Sequence, residues 1–454
     1  MSSPRFALAL AVGKLCASLL RVMAKKRGSN LPGAVALKLD PGFLGHVKGI
    51  GPNRTVFVTG TNGKSTSNNM IVHAFRTAGR SVCSNLEGAN MKPGVAAALI
   101  KNTTAGGRFN KDYLILEIDE RSLSAVAADL RPGHLCVTNI QKDQVQRNGD
   151  PDYIYQKIKK VVAGLKGLTL YVNNEEPRSK SLGSCLGEGG RAVSFGVAQN
   201  ARGSEADKGW EVTMPCPLCH DALSFAWYNL AGVGAFHCPS CGFSSGGAAD
   251  CLITEADYEG GSFCSGGRTY SFAYPAAFFL YDYALCLCVC GEFGIGPDDL
   301  EKAFSSFENV GGRMESFSHA GKIIKYMRIK QENPETLQSA LDRLACDNEE
   351  KVFVLGPAVV DDIVPHYSNT FYTFDCNFGP LIKSGVERCV CFGGTIAHDT
   401  ANRLRYAGIP DERIEILDTD DDEKILGAIS TCRTRNVYLI TWIKKFEKLK
   451  GRAV

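Results

Sequence analysis

The chain has 454 residues, of which 44% are apolar and 22% charged, a composition typical of a folded globular protein rather than a disordered or fibrous one. This length exceeds what one ordinary core accommodates, so two or three domains are expected. The formal net charge of +3 is small for the length and gives no indication of nucleic acid as a partner.

The 18 cysteines indicate a reducing compartment rather than a secreted disulfide framework. Several of them lie inside apolar runs and four form CxxC pairs, a pattern that favours buried thiols and a metal site. No stretch of about 18 uninterrupted apolar residues is present, so no transmembrane helix is predicted. We therefore expect a cytoplasmic protein.

The N-terminal run from Phe6 to Met23 is apolar and is followed by the basic residues 25–27. A secretory signal has the opposite order, with its basic residues before the apolar part. The run predicts an amphipathic helix packed on the protein, within an N-terminal helical segment and lead-in over residues 1–54. The alternative is an interfacial helix on an anionic membrane, which would place the protein at the inner membrane face as a peripheral contact.

A glycine loop comes next, because residues 58–66 read VTGTNGKST after a short apolar run that predicts a strand. A helical pattern follows the loop. Gly60 and Gly63 allow the tight turn in which backbone N–H groups and a helix N-terminus face a polyphosphate. Lys64 then reaches the terminal phosphates.

Magnesium is the expected companion of such a phosphate site, with the Ser65 or Thr66 hydroxyl as one ligand. The spacing GxxGKS is shorter than the usual GxxxxGK[ST] signature, and a glycine turn with an incidental lysine is the alternative. The predicted nucleotide-binding residues of the loop are Gly60, Thr61, Asn62, Gly63, Lys64, Ser65 and Thr66.

Three further strands begin near Lys111, His134 and Leu168 and alternate with helix-like segments, which predicts a parallel α/β sheet. Glu117 ends the first of them, at the edge where such sheets bind ligands. Its carboxylate suits Mg²⁺, although a solvated acid at a strand end is an equal alternative.

The segment TNIQKDQVQRNGD follows the strand near residue 134 and brings further polar side chains toward the same edge. It offers Asn139, Asp143, Gln144 and Arg147. Polar turns after strands are common, so this segment is persuasive only together with the glycine loop.

Two CxxC knuckles, Cys216 with Cys219 and Cys238 with Cys241, are separated by 18 residues. This spacing predicts a four-thiolate zinc ribbon, with a redox pair or an iron–sulfur site as the alternative. Four thiolates leave no open position, so the zinc would be structural. The glycine- and serine-rich stretches 181–209 and 243–268 are predicted to be loops flanking this insert, which covers about 209–246.

A second α/β pattern begins near Lys322, with strands in KVFVLG, RCVCFGG and NVYLIT and helices at 335–345 and 398–407. A domain boundary fits at the junction Gly311-Gly312-Arg313-Met314-Glu315. The predicted domains are therefore a central one over 55–311 and a C-terminal α/β domain over 312–454.

The loop TGTNGKST resembles the ATP-binding loop of the Mur ligase family, whose members activate a carboxylate as an acyl phosphate. The inserted cysteine knuckles, the TNIxxDQxxRxGD pattern and a C-terminal domain with Asn333-Pro334 narrow the resemblance to the MurT-type members of that family. It spans nearly the whole chain. It implies a Mur ligase-type α/β fold with a parallel-sheet ATPase domain, an inserted four-cysteine zinc ribbon and a C-terminal α/β domain.

The resemblance also implies an activity, namely ATP-dependent amidation of the D-glutamate α-carboxylate in the lipid II stem peptide. Ammonia would come from a GatD-type glutaminase, the second subunit of a heterodimer. Ser65 and Glu117 would be the protein ligands of Mg²⁺, and Asn139 and Asn173 would approach the nucleotide. Arg313 would lie at the hinge.

The chain departs from the MurT-type pattern in two places. The usual Tyr-Asn-x-Tyr-Asn run is here Phe278-Phe279-Leu280-Tyr281-Asp282. The aspartate that completes the partner's Cys–His pair has three candidates, Asp361, Asp362 and Asp375, each of which could instead cap or solvate a loop.

Two other functions remain compatible with the sequence. A stand-alone Mur-type or folylpolyglutamate-type ligase that adds an amino acid would share the glycine loop but leave the cysteine knuckles unexplained. A nucleotide-binding scaffold without activity would account for the two departures.

Overall fold

The structure is a computed structural model of the chain. It describes residues 3–23, 30–85, 89–143, 148–199, 204–205, 214–274, 276–308, 314–330, 333–347, 349–356 and 371–453. The chain divides into two compact units. The first comprises Met1–Gln141 and Asn148–Asn309, and the second comprises Lys142–Arg147 and Val310–Val454.

The first unit is built on a nine-stranded sheet with a separate three-stranded sheet. Its strands are β1 (Thr55–Thr59), β2 (Val82–Cys83), β3 (Tyr113–Glu117), β4 (His134–Val137), β5 (Thr169–Asn173), β6 (Arg191–Val197), β7 (Ser204–Glu205), β8 (Ser224–Leu230), β9 (Val233–His237), β10 (Cys251–Asp257), β11 (Ser262–Ser265) and β12 (Arg268–Ser271). The nine run in the order β12-β11-β10-β6-β5-β4-β1-β3-β2. From β2 to β10 all neighbours are parallel, and β11 and β12 add an antiparallel edge.

Helices cover both faces of the large sheet, which is the arrangement that parallel sheets require. They are α1 (Pro4–Met23), α2 (Leu31–Leu39), α3 (Phe43–His46), α4 (Lys64–Thr77), α5 (Lys92–Lys101), α6 (Leu123–Leu130), α7 (Pro151–Gly164), α8 (Pro177–Ser181), α9 (Ala277–Glu292) and α10 (Pro297–Ser306). Successive side chains of β1 alternate between two cores: Val56 and Val58 pack with α4 and α9, and Phe57 packs in the core that also contains Phe6 of α1.

The second unit is an α/β domain with a six-stranded sheet in the order β13-β14-β18-β15-β16-β17. Its strands are β13 (Met314–His319), β14 (Lys322–Met327), β15 (Lys351–Gly356), β16 (Val386–Phe392), β17 (Ile414–Leu417) and β18 (Asn436–Thr441). Its helices are α11 (Pro334–Ala345), α12 (Phe371–Phe374), α13 (Thr395–Tyr406), α14 (Asp422–Ser430) and α15 (Ile443–Arg452). All strands except β13 pair in parallel.

The predicted strands β1, β3, β4, β5, β15, β16 and β18 are confirmed, as are the α/β class and the parallel sheets. The prediction that 181–209 and 243–268 are loops was wrong, because β6, β10 and β11 lie there. In β6, Val193, Phe195 and Val197 are buried on alternate positions, so these apolar residues outweigh the turn-forming glycines and serines around them.

None of the helices within the described ranges has both the length and the apolar character needed to cross a bilayer. All 18 cysteines fall within those ranges, and each is a free thiol.

Candidate functional site

The glycine loop connects the end of β1 to the start of α4 at the carboxyl edge of the large sheet. Gly60 has φ of +127° and Gly63 has φ of +83°, conformations that other residues rarely adopt. A Cβ at Gly60 would lie 2.3 Å from the Thr138 hydroxyl oxygen. The loop can therefore follow this path only with glycine at position 60, and it leads directly into the positive end of a helix dipole.

The segment after β4 holds the loop in place. The backbone N–H of Thr61 donates to the Asn139 carbonyl at 2.8 Å, and that of Asn62 donates to the Asn139 side-chain oxygen, also at 2.8 Å. The Asn139 amide donates back to the Asn62 carbonyl at 3.1 Å. Asn139 is thus a positioning residue for the loop here, and its contact with a nucleotide stays a prediction.

Lys64, the first residue of α4, is buried and donates to three acceptors. Two of these are the carbonyl oxygens of Gly60 and Thr61, and the third is a carboxylate oxygen of Glu120 at 2.8 Å. Lys64 is 8% exposed and Glu120 6%. Each of these two charges requires the other as its counter-ion, because burying an unpaired charge costs free energy.

Ser65 and Glu117 lie beside the lysine. The Ser65 hydroxyl donates to one Glu117 carboxylate oxygen at 2.8 Å, and the Asn90 amide donates to the other at 2.9 Å. The Asn85 side chain holds the Glu117 backbone, because its amide donates to the Glu117 carbonyl and its oxygen accepts from the Glu117 N–H. An oriented carboxylate next to a hydroxyl is a pair of hard oxygen donors, which fits Mg²⁺.

Helix α9 borders the loop from the other side, at the position where the sequence departs from the MurT-type pattern. Asp282 is buried and accepts a hydrogen bond from the Ser67 hydroxyl. A Cβ at Gly63 would lie 2.8 Å from its carboxylate. Thr66, on the same first turn of α4, is also buried.

Asn173, at the end of β5, is engaged within the protein. Its side-chain oxygen accepts from the Glu175 N–H at 3.1 Å, and its amide donates to the Thr138 carbonyl at 3.2 Å. Burial raises the pKa of the neighbouring Glu175 to about 7. Asn173 therefore fixes the loop around Thr138, and a direct nucleotide contact from it stays a prediction.

The four cysteines of the two knuckles converge in one place. The sulfur atoms of Cys216 and Cys241 are 3.7 Å apart, those of Cys219 and Cys238 are 3.5 Å apart, and all four lie within 4.8 Å of one another. Tetrahedral zinc with Zn–S bonds of about 2.3 Å requires sulfur separations of about 3.8 Å. Two of the sulfur separations match this value, and the cluster as a whole is compact enough to hold a tetrahedral metal ion.

In the second unit, Asp375 forms an ion pair with Lys142 at 2.8 Å, both side chains being partly exposed. Asp143 pairs with Lys330 and accepts from the Asn333 amide at 3.3 Å. Asp143 thus belongs to this unit, whereas Asn139 lies in the first.

Several predicted residues fall outside the described ranges. They are Gln144, Arg147, Arg313, Asp361 and Asp362, and their roles stay predictions. Sequence reasoning missed Glu120, Asn85 and Asn90. Only Glu120 left a signal, as the second glutamate of the LEIDE run at the end of β3, three residues after Glu117.

A glycine loop with a lysine and a hydroxyl at a helix start, on the carboxyl edge of a parallel sheet, defines a nucleotide-binding α/β protein. The Mur ligase middle domain model matches residues 58–214, and the MurT ligase C-terminal model matches residues 331–443. The chain thus contains a Mur ligase middle domain and a MurT ligase C-terminal domain. The predicted resemblance is confirmed.

Known proteins agree with this assignment along most of the chain. The Lipid II isoglutaminyl synthase (glutamine-hydrolyzing) subunit MurT of Staphylococcus aureus strain COL is 27% identical over 412 residues, 88% of each chain. The protein of the same name from Streptococcus pneumoniae strain ATCC BAA-255 / R6 is 26% identical over 427 residues, 91% of this chain and 90% of the relative. A pseudomurein peptide ligase type C from Methanothermus fervidus shares the fold, with a TM-score of 0.66 at 15% identity, covering 89% of this chain and 79% of that one.

Proposed function

We propose that the chain is the ligase subunit of a lipid II isoglutaminyl synthase, which converts the D-glutamate α-carboxylate of the lipid II stem peptide into an amide. The observation that carries this proposal is the arrangement of Lys64, Ser65 and Glu117 around the glycine loop. The match of residues 331–443 to the MurT C-terminal model and the names of the curated relatives support the choice of substrate.

The proposed reaction has two steps. A carboxylate oxygen of D-glutamate attacks the γ-phosphorus of ATP, so that an acyl phosphate forms and ADP leaves. The nitrogen of ammonia then attacks the acyl carbon, phosphate leaves with the bonding electron pair, and the nitrogen loses a proton to give D-isoglutamine. One ATP is consumed for each amide formed.

The residues of the loop would act mainly by position and charge. Backbone N–H groups at the start of α4 would bind the phosphates, and Lys64 would offset charge on the transferred group. For this, Lys64 exchanges its Glu120 partner for phosphate oxygens. Mg²⁺, when bound, neutralises phosphate charge, and Ser65 and Glu117 would hold it.

Zinc in the cysteine cluster would have a structural role, because four thiolates complete its coordination and leave no position for substrate. Cys216, Cys219, Cys238 and Cys241 would be its ligands. Few of the described residues around the cluster are buried and apolar, so the metal would stabilise the fold of the ribbon.

Ammonia would reach this chain from a GatD-type glutaminase in a heterodimer. Support for a partner is the word "subunit" and the term "glutamine-hydrolyzing" in the names of the relatives. Asp375, Asp361 and Asp362 are the proposed candidates for completing that partner's active site. Because lipid II is membrane-bound, the complex would work at the inner face of the membrane.

Two alternative functions are distinguished from the proposed one by their products. An amino-acid-adding ligase would join a free amino acid to the carboxylate in place of ammonia. A nucleotide-binding scaffold would bind ATP without turnover. The buried Asp282 beside Gly63, at a departure from the MurT-type pattern, is the observation that keeps the scaffold in view.

The test is amide formation by the purified chain with ATP, a lipid II-type substrate and ammonium chloride as nitrogen source. We expect amidated product, and a loss of at least about 10²-fold in rate for Lys64→Ala. The exposed Lys166 provides a matched control, since Lys166→Ala also removes one lysine charge but at a site outside the loop. Product only with a free amino acid, or ATP binding without product, would contradict the proposal.

A further inference from the structure

The first 39 residues differ in charge from the rest of the chain. They contain seven basic residues and no acidic one, the first acid being Asp40. The basic residues are Arg5, Lys14, Arg21, Lys25, Lys26, Arg27 and Lys38. Because the whole chain carries +3, residues 40–454 carry −4. The N-terminal segment is therefore a basic region on an otherwise acidic protein.

Helix α1 presents large apolar side chains to solvent. Leu8 is 55% exposed, Leu15 61% and Leu19 54%. With 100° between successive residues, the three lie within about 40° of one another around the helix axis. We call these three residues the leucine stripe. Such a row of exposed leucines is unusual on a water-facing helix and marks an interaction surface.

The opposite face of α1 is packed into the first unit. Phe6 and Leu10 are buried, and the Phe6 ring lies 5.3 Å from that of Phe43. A Cβ at Gly13 would lie 2.7 Å from Ile100 of α5, so the helix approaches α5 closely. Because one face is committed to the protein core, α1 can lie on a membrane but cannot cross one.

Basic and apolar groups continue around the stripe. Arg5 is exposed one turn before Leu8, and Arg21 is exposed near the end of α1. On α2, Leu31 and Leu39 are 49% and 37% exposed, and Lys38 is exposed between them in sequence. An apolar stripe in a purely basic segment matches the two properties of an anionic bilayer surface, an apolar interior below negative headgroups.

We propose that the leucine stripe and the basic residues around it bind the surface of an anionic lipid bilayer, with α1 lying in the plane of the interface. The charge pattern selects this occupant over a second copy of the chain, because two such segments repel each other. Bilayer binding of this kind is independent of whether the chain amidates lipid II, and it would bring the glycine loop's unit to a membrane-bound substrate.

The experiment is co-sedimentation of the full chain with vesicles of phosphatidylglycerol and phosphatidylcholine, compared with vesicles of phosphatidylcholine alone. We expect binding to the anionic vesicles that weakens as salt is added. Replacing the stripe by Leu8→Gln, Leu15→Gln and Leu19→Gln together should weaken this binding at least about thirtyfold. Arg5→Gln with Arg21→Gln should weaken it about fivefold or more for each charge removed.

A matched control comes from exposed apolar residues of the second unit, Ile382 and Tyr406, which are 42% and 82% exposed. Ile382→Gln with Tyr406→Gln should leave vesicle binding unchanged. ATP turnover on a soluble, lipid-free substrate should be the same for the stripe variant and the natural chain, which separates this test from that of the proposed activity.

Three results would overturn the inference. One is no sedimentation with anionic vesicles. A second is binding that the stripe variant and the control variant share equally. The third is concentration-dependent self-association, or capture of the glutaminase subunit, that disappears in the stripe variant while vesicle binding persists, because the stripe would then be a protein interface.

Discussion

The glycine loop and the cysteine cluster keep their functional atoms in place by different means. The loop is held by hydrogen bonds from neighbouring strand ends: Asn139 fixes it from one side, and Asn85 and Asn90 fix Glu117 from the other. Within the described part of the chain, the core around the cysteine cluster is small and contains the buried residues Cys216, Leu223, Phe236 and Cys238.

This difference separates a site that is organised before its ligand arrives from one that the ligand itself organises. The loop belongs to a nine-stranded sheet with two large cores, so we expect it to keep its shape without a nucleotide. The described residues of the ribbon form only a small buried core, so we expect its metal to supply much of the folding free energy. Loss of ligand should therefore unfold the ribbon but leave the glycine loop folded.

Metal removal should give the largest effect. Chelation, or Cys238→Ser, should abolish bound zinc and unfold the ribbon, because structural zinc contributes on the order of 10 kcal/mol. Metal content and amide hydrogen exchange at Phe236 and Cys238 measure this. Cys264→Ser, at a cysteine outside the cluster, should change neither. Unchanged exchange protection after complete metal loss would show that the ribbon folds without metal.

Removing the carboxylate that pairs with Lys64 tests how the loop is organised. Glu120→Gln should destabilise the nucleotide-free first unit by about 3 kcal/mol, because it leaves a buried lysine without its counter-ion. ATP with Mg²⁺ should restore much of the loss, since phosphates then offset the same charge. Denaturant unfolding with and without ATP measures both.

The control for this pair is the exposed ion pair of Lys166 and Glu188. Glu188→Gln should cost less than about 0.5 kcal/mol with or without ATP, because exposed pairs contribute little. If Glu120→Gln weakened ATP binding without affecting stability, Glu120 would act on the nucleotide or its metal instead of on Lys64.

A smaller effect is expected at the proposed magnesium ligand. Glu117→Gln should raise the Mg²⁺ concentration needed for half-maximal turnover and lower the rate at saturation by about 10²-fold. A Mg²⁺ titration of ATP turnover measures both quantities. Asp119→Asn, two residues further along, is the control and should leave the titration unchanged. An unaltered Mg²⁺ requirement in Glu117→Gln would remove Glu117 from the site.

The smallest effect concerns pH. Burial raises the pKa of Glu175 to about 7 from an ordinary value of 4.5, so the folded chain holds a proton that the unfolded chain has lost. The stability that this group contributes is full below pH 4.5, falls as the pH rises from 4.5 to about 7, and is lost above about 7.

Glu175→Gln should remove this dependence. Between pH 5 and pH 8 the natural chain should lose about 2 kcal/mol relative to the variant. Thermal unfolding at the two pH values measures the difference. A stability gap between the two proteins that is the same at both pH values would contradict the assignment.

The features of the fold and the site that the sequence predicts are those that short local patterns determine. The run Thr55–Val58 followed by TGTNGKST predicts a strand, a phosphate loop and a helix start, and β1 and α4 are found there. The cysteine spacing likewise predicts the cluster that the structure brings together. Both signals lie within short stretches of chain whose geometry is fixed by backbone chemistry.

What escaped prediction depends on residues far apart in sequence. Asn90 and Glu117 are 27 positions apart, and Glu120 lies 56 positions from Lys64, so no local pattern pairs them. Strand β6 was not predicted, because glycines and serines surround it in the sequence. Its alternate apolar residues are identified as a strand only by its pairing with β5 and β10. Tertiary packing decided these elements, overriding local propensity.

The central proposal, that this chain activates a carboxylate by phosphorylation, is tested most directly with isotope-labelled substrate. A lipid II-type substrate carrying ¹⁸O in the D-glutamate α-carboxylate is amidated with ATP and ammonium chloride, and the released phosphate is analysed by mass spectrometry. An acyl phosphate transfers one labelled oxygen from the carboxylate to phosphate, so we expect labelled phosphate in proportion to amide. Amide formed with unlabelled phosphate would contradict the mechanism.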